Sequence, residues 1–96
     1  MTNSAPAEER HTVQIKNKFG LHARPAAAFV KLASKFNSEI WVAKQDENEV
    51  NGKSIMGMMM LAAECGAEIT IRANGDDARQ AVEQLVALVN NRFGEE

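Results

Sequence analysis

Ala67-Glu68-Ile69-Thr70-Ile71-Arg72-Ala73 alternates without a break between apolar and polar residues. A strand of that kind buries one face and wets the other, so the sheet it joins must be covered on a single side. Glu39-Ile40-Trp41-Val42-Ala43-Lys44 repeats the pattern, with Ile40 and Val42 inward and Trp41 on the opposite, partly exposed face. Thr12-Val13-Gln14-Ile15-Lys16 adds a third strand with Val13 and Ile15 inward, and a short fourth is expected around Glu49-Val50-Asn51. Between these runs the period changes to that of a helix. Ala26, Phe29, Val30, Ala33 and Phe36 fall on one stripe of a helix over residues 23–36. Ala78, Ala81, Val82, Leu85, Leu88, Val89 and Phe93 do the same in a last helix, opened by the negative charges of Asp76 and Asp77 in its first turn. Ser54, a favoured N-cap type, starts a shorter helix between the third and fourth strands.

The order is βαββαβα, an α+β fold: an open-faced β-sandwich in which three helices cover one face of a four-stranded antiparallel sheet. Ninety-six residues suffice for one such core and not for two. Residues 1–10 are polar, small and aperiodic and read as a flexible tail; residues 11–94 form the single domain, and Gly94-Glu95-Glu96 is expected to fray.

A net charge of −2 with both signs interspersed leaves no electrostatic footprint for nucleic acid. No apolar run is long enough to insert into a membrane, and residues 1–10 lack the basic-then-apolar order of a signal peptide. One cysteine, Cys65, excludes an internal disulfide, and two histidines offer no zinc-type ligand spacing. A cytoplasmic monomer without metal or cofactor is expected.

Gly20-Leu21-His22-Ala23-Arg24-Pro25-Ala26 is the stretch with chemistry in it. Pro25 suits a first helical turn, where its missing N–H costs nothing. His22 therefore stands where a helix presents unpaired N–H groups, which attract anions and phosphate above all. Arg24 supplies a fork of donors matched to phosphate oxygens on the same turn. An isolated histidine at a helix start is more often a plain polar residue; the arginine two residues on shifts the balance toward a phosphoryl site. Phe19, large and apolar in the approaching loop, is expected to pack over the helix start. The helix itself carries Arg24, Lys31 and Lys35 off its apolar stripe, a basic face suited to an acidic partner.

Ile55-Met56-Gly57-Met58-Met59-Met60-Leu61 has more apolar residues than one buried stripe can hold. With Met58, Leu61 and Ala62 in the core, Ile55, Met56 and Met59 remain at the surface. Flexible methionines on a surface adapt to a partner's contour, although core filler is the common fate of a Met-rich run.

These two motifs, in this order within this element pattern, resemble those of HPr, the histidine-containing phosphocarrier of the phosphoenolpyruvate-dependent phosphotransferase system. The resemblance covers residues 12–93. It implies that His22 accepts a phosphoryl group on Nδ1 from enzyme I and passes it to enzyme IIA-type acceptor proteins, with the Arg24 guanidinium assisting. It implies a regulatory phosphorylation at Ser54 by HPr kinase/phosphorylase where that enzyme exists. It also implies a docking surface of Ala23, Ala27 and Lys31 with Ile55, Met56 and Met59. Lys18 and Phe19 depart from the smaller or polar residues usual there. The ending Ala87-Leu88-Val89-Asn90-Asn91-Arg92-Phe93 looks closer to nitrogen-regulatory versions, which often lack a serine like Ser54. On this reading the chain is a relay carrier and not a stand-alone enzyme. The alternative is a non-transferring adaptor that binds through the Met-rich patch and is switched at Ser54; such an adaptor would need neither His22 nor Arg24.

Overall fold

The computed structural model describes residues 7–45 and 47–95. Four strands, β1 (Glu8–Gln14), β2 (Glu39–Lys44), β3 (Val50–Asn51) and β4 (Glu68–Asn74), lie in the order β1-β4-β2-β3 with every neighbouring pair antiparallel. Helices α1 (Ala23–Ala33), α2 (Ile55–Met60) and α3 (Ala78–Asn90) follow the strands in the expected sequence, and a tight left-handed turn, Arg92–Gly94, comes after α3. The core is a single cluster. Val13, Ile40, Val42, Ile69 and Ile71 rise from the sheet, joined by Ile15 just past the end of β1 (which stops at Gln14 and not at the expected Lys16), to meet Phe29 of α1, Met58 of α2 and Leu85 and Val89 of α3.

The opposite face of the sheet is polar, as strict alternation requires. Thr12 and Thr70, cross-strand partners, share a hydroxyl hydrogen bond of 2.8 Å. Arg72 donates two 2.8 Å bonds to the Glu49 carboxylate and sits 6.0 Å from the centre of the half-buried Trp41 ring. The bond from Arg72 holds the Glu49 carboxyl below its ordinary range.

Several boundaries differ from the sequence expectation. β1 begins at Glu8, inside the stretch expected to be tail, and residues 1–6 of that stretch lie outside the described residues. Glu8, Glu9 and Arg10 pair with Asn74, Ala73 and Arg72 through the backbone while their side chains stay exposed, so no apolar alternation announces them. α1 ends at Ala33 instead of Phe36, since Lys35 and Phe36 bond back by three residues in tightened turns. Ala62 is exposed at a positive φ of 52°, and Ala63 takes the core position expected for it. The physical reason is the left-handed residue just after α2, which rotates the following side chain inward. Asp77 precedes α3 without capping it. Its carboxylate instead accepts from the Ser38 hydroxyl and from the Asn37 and Ser38 N–H groups at 2.8 and 2.9 Å, pinning the loop between α1 and β2. Phe93 is buried but outside α3, and Glu95 is held in place where fraying was expected.

Candidate phosphoryl-accepting site

The loop that leaves β1 is shaped by two residues. Gly20 takes a φ of +68°, and a Cβ there would collide with the Ala63 carbonyl, so the position requires glycine. Asn17, wholly buried, donates its side-chain amide to the Gly20 carbonyl at 2.7 Å. Leu21 then bonds through its N–H to the Ala63 carbonyl at 2.9 Å and buries its side chain in the core. The chain thereby reaches His22 with its course fixed on both sides.

His22 is the N-cap residue of α1, extended at φ −82°, ψ −170°. Its carbonyl accepts from the Ala26 N–H at 3.0 Å, while its side chain caps nothing. The ring is thus free for other work. Ala23 and Arg24, the first two helical residues, carry N–H groups that helix geometry leaves without an intrahelical partner; Pro25, third in the turn and buried, has none to leave.

His22 and Arg24 line one cleft of about 520 Å³ together with Phe19, Phe93, Gly94 and Glu95. Phe19 meets the imidazole edge-on, ring centres 6.2 Å apart at 81°, yet remains 73% exposed. It packs over the helix start only along one edge, and the Lys18 ammonium stands 5.4 Å from its ring centre. The Glu95 Oε2 lies 3.2 Å from His22 Nε2, and Glu95 Oε1 accepts from the Asn17 amide at 3.1 Å. Nε2 has essentially no contact with solvent, although 41% of the His22 side chain is exposed. The accessible edge of the ring is therefore the other one.

Glu95 was missed by the sequence reading. Its only sequence signal is a glycine followed by an acid beyond the last helical residue, and nothing in that pattern points 73 positions back to His22.

Ser54 is the N-cap of α2, its Oγ accepting from the Gly57 N–H at 3.0 Å as expected of the residue type. It does not line the His22 cleft. Ile55, Met56 and Met59 are 45%, 73% and 44% exposed, and Met60, not foreseen as part of the patch, is 73% exposed. These four residues line a separate, almost wholly apolar groove. On α1, Ala23 and Lys31 are exposed and Ala27 half-buried, and α1 packs beside α2, so the candidate docking residues occupy adjoining elements. Among the described residues no group of three or more His, Cys, Asp or Glu is placed to hold a metal ion, and no helix is long and apolar enough to cross a membrane.

A histidine offered at a helix N-terminus beside an arginine, on an open-faced sandwich, defines a phosphoryl-carrier type of protein. Comparison with known proteins agrees. Residues 9–91 match the family model described as the PTS HPr component phosphorylation site. The phosphocarrier protein HPr of Neisseria meningitidis serogroup A is 49% identical over 86 residues, covering 90% of this chain and 96% of that protein. The crystal structure of HPr-C-His from Thermoanaerobacter tengcongensis superposes with a TM-score of 0.85 at 52% identity, covering 92% of this chain and 98% of that one. The chain belongs to the HPr family of phosphotransferase-system phosphocarriers. A second structure from Thermoanaerobacter tengcongensis is titled as an HPr dimer (53% identity, TM-score 0.71, 86% and 94% coverage), which weighs against the expectation of a monomer.

Proposed function

We propose that this chain takes a phosphoryl group from enzyme I onto Nδ1 of His22 and hands it to enzyme IIA-type acceptors, working in the cytoplasm as a carrier whose partners supply the catalysis. The observation that carries the reading is the pairing of a shielded Nε2 with an exposed ring edge, in a cleft that also holds Arg24. A neutral imidazole is a competent nucleophile near neutral pH. Its Nδ1 lone pair forms the bond to phosphorus as the donor's bond to phosphorus breaks. The free N–H groups of Ala23 and Arg24 and the Arg24 guanidinium are suited to the charge carried by the three phosphoryl oxygens. Ser54 is the proposed regulatory phosphorylation site, and the proposed docking surface joins Ala23, Ala27 and Lys31 to Ile55, Met56 and Met59, with Met60 added.

The test is incubation with enzyme I and phosphoenolpyruvate, scored for acid-labile phosphate. His22→Ala should abolish labelling and leave the fold intact, while His11→Ala, altered on an exposed position of β1, should label normally. Retention of the label in His22→Ala together with its loss in His11→Ala would contradict the assignment.

A further inference from the structure

Three successive residues near the end of the described chain, Arg92, Phe93 and Gly94, take positive φ angles of 56°, 56° and 77°. For the two non-glycine residues that conformation is strained, because Cβ crowds the following carbonyl. The turn is anchored by Phe93, buried in the core cluster, and by bonds from Gly94 N–H to the Asn91 carbonyl and from Glu95 N–H to the Arg92 carbonyl. What this strained turn accomplishes is to bring Glu95 back over the start of α1. There Asn17, the same buried residue that ties down Gly20, grips Oε1 and leaves Oε2 facing His22 Nε2 at 3.2 Å.

That facing has a chemical consequence. Neutral imidazole bears its proton on one nitrogen and a lone pair on the other. A bare lone pair on Nε2 would point at a carboxylate oxygen, two acceptors in contact inside a site that excludes water from that atom. A proton on Nε2 turns the same contact into an attraction. The oxygen lies off the ideal N–H axis, so the present contact is a close charge–dipole approach and not an aligned hydrogen bond; such contacts commonly tighten when the reacting group arrives.

We propose that Glu95, held by Asn17, is a positioning residue that keeps the proton on His22 Nε2, so that Nδ1 carries the lone pair that takes the phosphoryl group. This rests on the reading of His22 as the phosphoryl acceptor. On transfer in, the Nδ1–P bond forms, the donor's bond to phosphorus breaks with its electron pair leaving on the donor, and the ring becomes a cation with Nε2–H beside the carboxylate. On transfer out, the P–N bond breaks, its pair returns to Nδ1, and the ring leaves neutral with the Nε2 proton unmoved. Glu95 thus favours both the nucleophilic form of the free ring and the protonated, readily departing form of the phosphorylated one.

Two measurements on the full chain test this, using Glu95→Ala and the shape-preserving Glu95→Gln, with the amide NMR spectrum checking the fold. First, with ¹⁵N-labelled histidine and the ring neutral, wild type should show a protonated-type Nε2 signal with a visible, slowly exchanging proton. Both variants should lose that proton signal and move toward the average of exchanging tautomers. Second, His22 phosphorylated chemically with phosphoramidate, which needs no partner protein, should lose phosphate about fivefold more slowly at pH 8 in either variant, an interaction of the strength of a favourable partly screened ion pair. An unchanged Nε2 signal, or an unchanged rate of phosphate loss, overturns the proposal. Failure of enzyme I to label wild type would instead count against the functional reading, since neither measurement uses enzyme I.

Discussion

Three separate stretches of chain build the cleft around His22, the loop through Asn17 and Phe19, the first turn of α1 and the turn at Phe93–Glu95, whereas the apolar groove on α2 comes from six consecutive residues. The cleft mixes polar and apolar lining, and its histidine ring is flanked by Phe19 on one side and Glu95 on another. The groove is made of Ile55, Met56, Met59 and Met60, of which the methionines have three rotatable bonds and no fixed polar partner. Chemistry at a nitrogen needs placement to a fraction of an ångström, which requires bonds from distant parts of the fold. Docking several partners in turn is better served by a surface that repacks.

If the comparison holds, damage to the cleft should alter rate and damage to the groove should alter affinity. The largest effect after loss of His22 itself is expected for Arg24→Ala. Removing the donor proposed to meet phosphoryl oxygens during transfer should slow transfer from enzyme I about a hundredfold without lowering the melting temperature, because the exposed Arg24 side chain is not part of the core. Unchanged single-turnover kinetics would return Arg24 to the role of a surface charge.

Ser54→Asp probes the other region. A negative charge at the N-cap of α2 suits the helix dipole, so the fold should persist, while the charge stands beside apolar surface that a partner must bury. Affinity for enzyme I should fall about tenfold, with the transfer rate at saturation little changed. Met56→Ala should act in the same direction and more weakly, about threefold, as single contacts in adaptable surfaces do. A rate defect at saturation in either variant would show that the two regions are not separable.

Much of this was legible in sequence, and the division follows the same line as the comparison. Strand alternation, the helix stripes, the Ser54 cap and the exposure of Ile55, Met56 and Met59 are local properties, each set by residues within a turn or two. His22 and Arg24 were legible because two residues apart on one helix start is also local. Glu95 was not, because its position depends on a left-handed turn in which only Gly94 is a residue type that signals one. Glu8–Arg10 escaped for a related reason, since their pairing with β4 is carried by the backbone.

The smallest expected effect lies away from both regions and serves as their control. The Ser38 hydroxyl, followed by the Asn37 N–H, holds the Asp77 carboxyl below its ordinary range. A carboxyl lowered in the folded state stabilises the fold above its unfolded pKa, and that contribution fades as pH falls through the folded value. Thermal melts of wild type and Asp77→Asn should therefore differ most near neutrality and converge as the pH drops through the carboxylate range. Transfer kinetics should not change. A melting difference independent of pH would mean that the Asp77 charge is not what pins the loop.

The most direct test of the account is the identity of the nitrogen that carries phosphorus. Wild-type chain with ¹⁵N-labelled histidine, phosphorylated by enzyme I and phosphoenolpyruvate, should show one-bond ³¹P–¹⁵N coupling to Nδ1 of His22 and a proton still on Nε2. Coupling to Nε2 of His22, or to either nitrogen of His11, would contradict it.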